Sequence, residues 1–198
     1  MNGLNAPDTV SVTLNHTHLK DGNSIWPVSN FGSLNLTNSI INYMISPIYS
    51  SSHLEIVISY NVFNNSGGFV GFFYDMSIKN NRFMNKSGES WISFPYWDPG
   101  EVTYITKNIH IGGSTYITST QEVPPLTGIE YNSFLDEGIS IDASDPPGGS
   151  NAIARNNYWG TVDPEQIADK ILDYNDDMPR TITVDFKPFL TEPHPDTP

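Results

Sequence analysis

Apolar residues in this chain fall in short alternating runs, and the runs recur. In "ISYNVF", "IKNNRF" and "IEYNSF", Ile58, Ile78 and Ile129 stand three residues before Asn61, Asn81 and Asn132. Phe63, Phe83 and Phe134 stand two residues after them. Fainter copies are "VTLNHT" with Asn15, "NLTNSI" with Asn38 and "ITKNIH" with Asn108. A last copy, "ARNNYWG", sets Trp159 two residues after Asn157. The anchors Asn15, Asn38, Asn61, Asn81, Asn108, Asn132 and Asn157 are spaced 23, 23, 20, 27, 24 and 25 residues apart. The position three before the anchor is apolar in six of seven copies, and the position two after it in five of seven. Gly22, Gly67, Gly88, Gly112 and Gly138 follow soon after most copies.

Alternation over four to six residues predicts short strands, and a period near 24 with Gly and Asn turns predicts a solenoid. Leucine-rich repeats have a similar period, but they need a Leu lattice, and this chain uses Ile, Val and Phe. The better fit is a coil of three short strands per turn, each coil stacked on the next at about 4.8 Å. In-register stacking places each anchor Asn above the previous one, so the side-chain amides hydrogen-bond along the column as a ladder. About seven coils make a rod of roughly 34 Å.

The C-terminal part reads as a lid, which a solenoid needs to cover its last strand edges. Asp163 suits a helix N-cap, Pro164 the first helical position and Gln166 a capping-box-like partner. Ile167, Ile171 and Leu172 predict the apolar stripe of a helix of about ten residues. "TITVDF" alternates as a strand, and the tail "TEPHPDTP" has the composition of a disordered segment. The chain thus divides into coils at 1–161, a helix–strand cap at 162–190 and a tail at 191–198. No amphipathic helix precedes "VSVTL". This end is therefore expected to be covered by a preceding domain or to dock on another subunit, with a frayed first coil as the alternative.

Composition adds exclusions. Only 16% of the 198 residues are charged, and Asn, Ser and Thr supply the polar surface, as in all-β proteins. A net charge of −13, with nine Lys and Arg in all, argues against binding a nucleic-acid backbone. The chain has no cysteine, no apolar run near the roughly 20 residues that span a bilayer, and no basic and apolar segments of a signal peptide at its start. Cytoplasmic, mature and excised chains all fit that start.

The repeat resembles the degenerate "I-x-x-N-x-F-x-x-N-x-x-G" pattern of right-handed parallel β-helix proteins in the pectate-lyase-like superfamily. The resemblance covers roughly residues 9–161, most clearly 56–90 and 127–161. "NNYWG", a short helix and "VDFKPFL" resemble the C-terminal ending of the subgroup that includes the nitrous-oxide-reductase accessory protein. It implies an all-β solenoid: a single-stranded right-handed parallel β-helix with a short C-terminal helix and strand cap. It also implies an extracellular or cell-surface location. It implies no activity, because this superfamily holds lyases, hydrolases, epimerases, phage spikes and inert surface proteins.

Several residues are candidates for chemistry. Trp91, Phe94, Tyr96 and Trp97, in the longest repeat, could stack on sugar rings, or could fill the coil. Asp142 and Asp145 could pair for acid–base work or Ca2+, or could be solvated turn residues. Strand alternation from Ile139 and Ile141 points Ser140 and Asp142 outward, with Asp142 stacked near Trp91 and Thr118. Asp173, Asn175, Asp176 and Asp177 are ligand types that Ca2+ prefers, but without the glycine and distal Glu of an EF-hand loop. His16 and His18 would share a strand face and could be half of a Cu or Zn site without an identifiable third ligand. The copper-site association of the accessory protein comes from the resemblance, and no residue-level copper motif carries over. Arg82 and Arg155 stand next to anchors but in no lyase motif. The paired-Asp pattern of polygalacturonase-like hydrolases and the Asp-Pro-His-Asp pattern of alginate epimerases are missing. Asn15, Asn35, Asn64 and Asn85 begin glycosylation sequons, and Asn64 and Asn85 are expected at turns.

Two functions follow as expectations. One is a non-enzymatic extracellular or cell-surface module, structural or adhesive, contacting glycan or other subunits. The other is a polysaccharide-active lyase or hydrolase with a groove along one sheet near Trp91, Trp97 and Asp142.

Overall fold

A computed structural model describes residues 10–25, 31–50, 55–67, 69–71, 76–84, 90–94, 103–113, 115–119, 128–136, 138–143, 151–177, 180 and 182–198. It is mostly strand. In chain order the elements fall into groups one repeat apart. The first holds β1 (Val10–Asn15) and β2 (His18–Ile25), the second β3 (Phe31–Thr37) and β4 (Ile40–Ser50). The third holds β5 (Glu55–Ser59), β6 (Val62–Asn64) and β7 (Phe69–Gly71), the fourth β8 (Met76–Lys79), β9 (Arg82–Met84) and β10 (Ser90–Phe94). The fifth holds β11 (Thr103–Thr106), β12 (Ile109–Ile111) and β13 (Thr115–Ser119), the sixth β14 (Ile129–Glu130), β15 (Ser133–Phe134) and β16 (Ile141–Ala143). The last contains β17 (Asn151–Ile153), helix α1 (Pro164–Ala168), β18 (Ile171–Leu172) and β19 (Thr183–Asp185).

Each strand pairs in parallel with its counterpart in the next repeat, so the sheets stack in sequence order. One sheet runs β1-β3-β5-β8-β11-β14. In the second, β4 is long enough to pair at its start with β6 and at its end with β7. From β6 the pairing continues through β9 and β12 to β15, and from β7 through β10, β13 and β16 to β18. This arrangement of parallel strands stacked in sequence order is compatible with a solenoid. Register sets the interior rows. Leu14, Leu36, Ile58, Ile78, Ile105 and Ile129 are aligned neighbours, 22, 22, 20, 27 and 24 residues apart. Leu36, Ile58 and Ile78 are fully buried.

The second interior row is aromatic. Phe63, Phe83, His110, Phe134 and Trp159 stack with centroid separations of 4.9, 5.0, 4.7 and 4.8 Å and interplanar angles of 18° to 26°. These distances match the spacing of neighbouring strands, so identical register brings successive rings face to face. In the final repeat the aliphatic row shrinks to Ala152 and Ala154, both fully buried. The indole of Trp159 and the side chains of Ile182 and Val184, which flank or lie in the closing strand β19, are buried in the same cluster as those alanines. Phe186 meets Trp159 edge-on at 6.4 Å.

Polar residues join the repeats as tightly as apolar ones. The side chain of Asn108 is representative. Its Nδ2 donates to Asn132 Oδ1 at 3.0 Å and to the Ile78 carbonyl at 2.9 Å. Its Oδ1 accepts from the backbone and side-chain nitrogens of Asn81 at 2.9 and 3.0 Å. The same pattern links Asn61 to Asn81 and Asn132 to Asn157. All five amides are buried. The first two rungs differ from expectation. Ser39, not Asn38, donates its N–H to Asn61 Oδ1 at 2.9 Å, and Thr17, not Asn15, donates its N–H to Ser39 Oγ at 3.0 Å. Asn15 and Asn38 form a separate exposed bond, Asn38 Nδ2 to Asn15 Oδ1, at 3.0 Å.

The cause of this shift is a bend. His16, Asn38, Tyr60, Asn80, Lys107, Tyr131 and Asn156 all have φ between 49° and 59°, and each immediately precedes a rung of the ladder. At this bend one left-handed residue turns the chain out of the first sheet into the second; Asp21, Tyr43 and Asn65 are further left-handed residues in the first three repeats. Asn tolerates that conformation better than most residues. Asn38 is therefore a bend asparagine standing one position before the ladder.

The cap also differs in detail. Asp163 caps α1 as expected, accepting from the Glu165 N–H at 3.0 Å, and Gln166 Nε2 donates back to it at 3.2 Å. The helix has five residues rather than about ten. Ile171 and Leu172 lie not on it but in β18, paired with Ile141 and Asp142. Gly160, with φ of 75°, makes the turn into this cap. β19 pairs in parallel with β17. Residues 191–198 are not a disordered tail. Despite three prolines they lie against the repeats, with the His194 ring 4.9 Å from that of Tyr131.

Asn108→Ala strands the Asn81 N–H and the Ile78 carbonyl in the interior, and should cost about 3 kcal/mol in a denaturant melt. Asn15→Ala, at the exposed bond, should cost under about 1 kcal/mol. Trp159→Ala should cost roughly 3–5 kcal/mol in the same measurement.

Candidate functional site

The strongest candidates from the sequence converge on the β10-β13-β16-β18 stretch of sheet. Register aligns Trp91 with Tyr116, Tyr116 with Asp142, and Asp142 with Leu172. Trp91 and Asp142 therefore share one column, two strands apart, as expected. Thr118 does not: it pairs with Ser93, two positions along. Phe94 ends β10, opposite Ser119. The side chains of Trp91 and Phe94 lie outside the described part, as do Tyr96, Trp97 and Asp145 altogether.

Asp142 is not the solvated outward carboxylate that strand alternation predicts. It is 7% exposed and forms an ion pair with the guanidinium of Arg180, whose side chain is 17% exposed. Arg180 in turn lies 3.8 Å from Asp177. A carboxylate buried this far needs such a partner, since an unpaired charge there would be costly. Ser140 is fully buried as well. Its neighbourhood is closed by Lys170, whose carbonyl accepts the Ser140 N–H at 2.8 Å and whose ammonium donates to the Asp136 carbonyl. The sequence pointed to Asp142 but not to Arg180. The only available signal was that the chain has nine basic residues in all, so one beside an acidic run is notable.

The acidic turn 173–177 is also built for structure. Asp173 is 3% exposed. Its Oδ1 accepts the Asn175 N–H at 2.8 Å and its Oδ2 the Val184 N–H at 2.7 Å, tying the turn to β19. Asp176 Oδ2 accepts the Asp173 N–H at 3.1 Å. Asn175, Asp176 and Asp177 are exposed. Among the described residues no three His, Cys, Asp or Glu side chains gather in a way that could hold a metal ion.

The histidine pair is split by the first bend. His16 is the left-handed residue and His18 begins β2, so they do not share one strand. His18 Nε2 instead lies 2.9 Å from Asn42 Nδ2, and Asn42 Oδ1 accepts from Asn64 Nδ2 at 2.9 Å. The sequon residue Asn64 thus ends β6 half-buried, its amide already used, rather than standing free in a turn. Asn85 lies outside the described residues. Arg82 is exposed on β9, whereas Arg155 forms an ion pair with Asp185 of β19.

Among the described residues no helix is long and apolar enough to cross a membrane. Comparison with known proteins gives no match: no family model, no curated protein and no solved structure corresponds to the chain.

The Arg155–Asp185 pair yields a pH prediction. The hydrogen bond from Arg155 is the main cause holding the Asp185 carboxyl below its ordinary value of 3.8, with burial opposing. Its contribution to stability is therefore complete above that value and lost as pH falls through the lower folded-state value. A carboxyl-carbon NMR titration should place the Asp185 midpoint below 3.8, and Arg155→Ala should return it upward.

Proposed function

We propose that this chain is a right-handed, single-stranded parallel β-helix of about seven coils, of the pectate-lyase-like kind. Right-handedness is the rule for parallel crossover connections. We further infer a non-enzymatic module of an extracellular or cell-surface protein, structural or adhesive, that contacts glycan through the aromatic segment around Trp91. One observation carries the non-enzymatic reading: the buried carboxylates of Asp142 and Asp173 are engaged in holding the cap, by Arg180 and by backbone N–H groups. Neither stands free for proton transfer or for a metal.

A second reading keeps one support. Trp91, Tyr116 and Asp142 lie in a single column across adjacent strands, the layout of a groove for an extended polysaccharide. On that reading the chain is a lyase or hydrolase, and Arg180 swings away from Asp142 when substrate binds.

A glycan array separates the two. The wild-type chain should retain a subset of polysaccharides unchanged in length, and a Trp91→Ala, Trp97→Ala variant should lose at least tenfold in binding. Absence of binding by the wild type would remove the glycan-contacting role. Shortening of a bound polysaccharide, abolished by Asp142→Asn, would establish the enzyme instead.

A further inference from the structure

Residues 191–198 run back across the bends of three successive repeats. Leu190 anchors the start, donating its N–H to the Asn157 carbonyl at 2.9 Å. The His194 ring then meets the Tyr131 ring at 4.9 Å and 57°. The Asp196 carboxylate accepts from Lys107 Nζ at 2.5 Å, and the Asp196 backbone carbonyl accepts from Asn80 Nδ2 at 2.7 Å. Tyr131, Lys107 and Asn80 are the left-handed residues that precede Asn132, Asn108 and Asn81. Each repeat therefore offers the tail one bend side chain: a ring, then a cation, then an amide. The tail has its own order. Asp196 donates its N–H to His194 Nδ1 at 3.2 Å, and Thr197 donates its N–H to the His194 carbonyl at 2.9 Å.

We propose that the row Tyr131, Lys107 and Asn80 is a binding site for a short acidic peptide with a ring two residues before a carboxylate. The C-terminal tail is its ligand in cis. The contacts are those of a docked ligand and not of a core element. The Lys107 side chain is 33% exposed and that of Asp196 60%. No tail residue from Thr191 onward is buried, whereas Ile182 and Val184 just upstream are. Exposed ion pairs and single hydrogen bonds are individually weak. Such a tail stays in place because tethering keeps its local concentration on the order of millimolar. The same sequence on a second copy, or a peptide of the same pattern, can then exchange with it. A lysine facing a carboxylate makes the site selective for acidic ligands in a chain whose net charge is otherwise −13.

The test uses a chain ending at Leu190 and a fluorescent peptide with the sequence of residues 191–198. Fluorescence anisotropy should show saturable binding that weakens at high salt. Binding should fall about two- to fivefold with Lys107→Ala in the protein or Asp196→Asn in the peptide, with little further loss when both are present. The full-length chain should bind the peptide at least tenfold more weakly than the truncated one, because its own tail occupies the row. No saturable binding overturns the proposal, and so does binding indifferent to Lys107→Ala. A truncated chain that loses its β-sheet circular dichroism also overturns it, since the tail would then belong to the core. A second measurement uses the full-length chain. Asp196→Asn should move the His194 ring proton resonances to their positions in the free peptide. Unchanged resonances would overturn the proposal independently.

Discussion

The structure depends on one side chain's ability to satisfy four partners at once. A ladder asparagine accepts on Oδ1 from the backbone N–H and the amide of the repeat before it. It donates through Nδ2 to the amide of the repeat after it and to a backbone carbonyl. The bend makes this necessary. Where the left-handed residue turns the chain inward, the next N–H leaves the sheet's hydrogen-bond pattern while still buried. A buried donor without a partner is costly, so something must reach it. Aspartate would bring a charge and lack donors, while serine reaches fewer partners: Ser39 Oγ accepts from the Thr17 N–H and donates to the Thr37 carbonyl. The aromatic row depends on the same bend. It begins two residues beyond the ladder, and its rings stack only because the ladder holds successive repeats in equal register.

The repeat was legible because its two interior columns use different residue types. Ile three before and Phe two after an Asn is a pattern that a strand, a bend and a second strand produce together. From Asn61 to Asn157 the ladder follows the sequence without a slip. It slips at its start, where two distinct reasons favour Asn at neighbouring positions. Asn38 is present because Asn accommodates positive φ, and the rung beside it is Ser39. The helix was overestimated because Ile167, Ile171 and Leu172 fit a helical stripe and equally fit one helical turn followed by a strand. Pairing with β16 decided for the strand. Proline content suggested a disordered tail. Prolines lack an N–H but do not prevent a segment with its own turn from docking through the side chains between them, as His194 and Asp196 do.

The candidate site was less legible. The sequence pointed to Asp142 and to the turn at 173–177, and the structure brings both to the cap end. Their partners, Arg180 and the Val184 N–H, are set by how the cap folds back on the last repeats. No local pattern encodes that. A carboxylate beside prolines and glycines reads as a solvated turn unless the residue that covers it is known. The same holds for His16 and His18, which a period-two reading unites and a single left-handed residue separates.

The ladder has a direction. Every amide oxygen is turned toward the earlier repeat, so each rung's N–H finds its acceptor only in the rung that follows it in the chain. During synthesis the newest repeat always stands with an unanswered donor, and each addition completes the one before. At the last rung the amide turns to backbone carbonyls instead of a further amide. Asn157 does this, donating to Ala154, Arg155 and Ile129 carbonyls at 2.7, 3.1 and 2.8 Å. The growing molecule is thus a zipper whose slider is built into its last tooth, and each added repeat calls for no new chemistry at its rung.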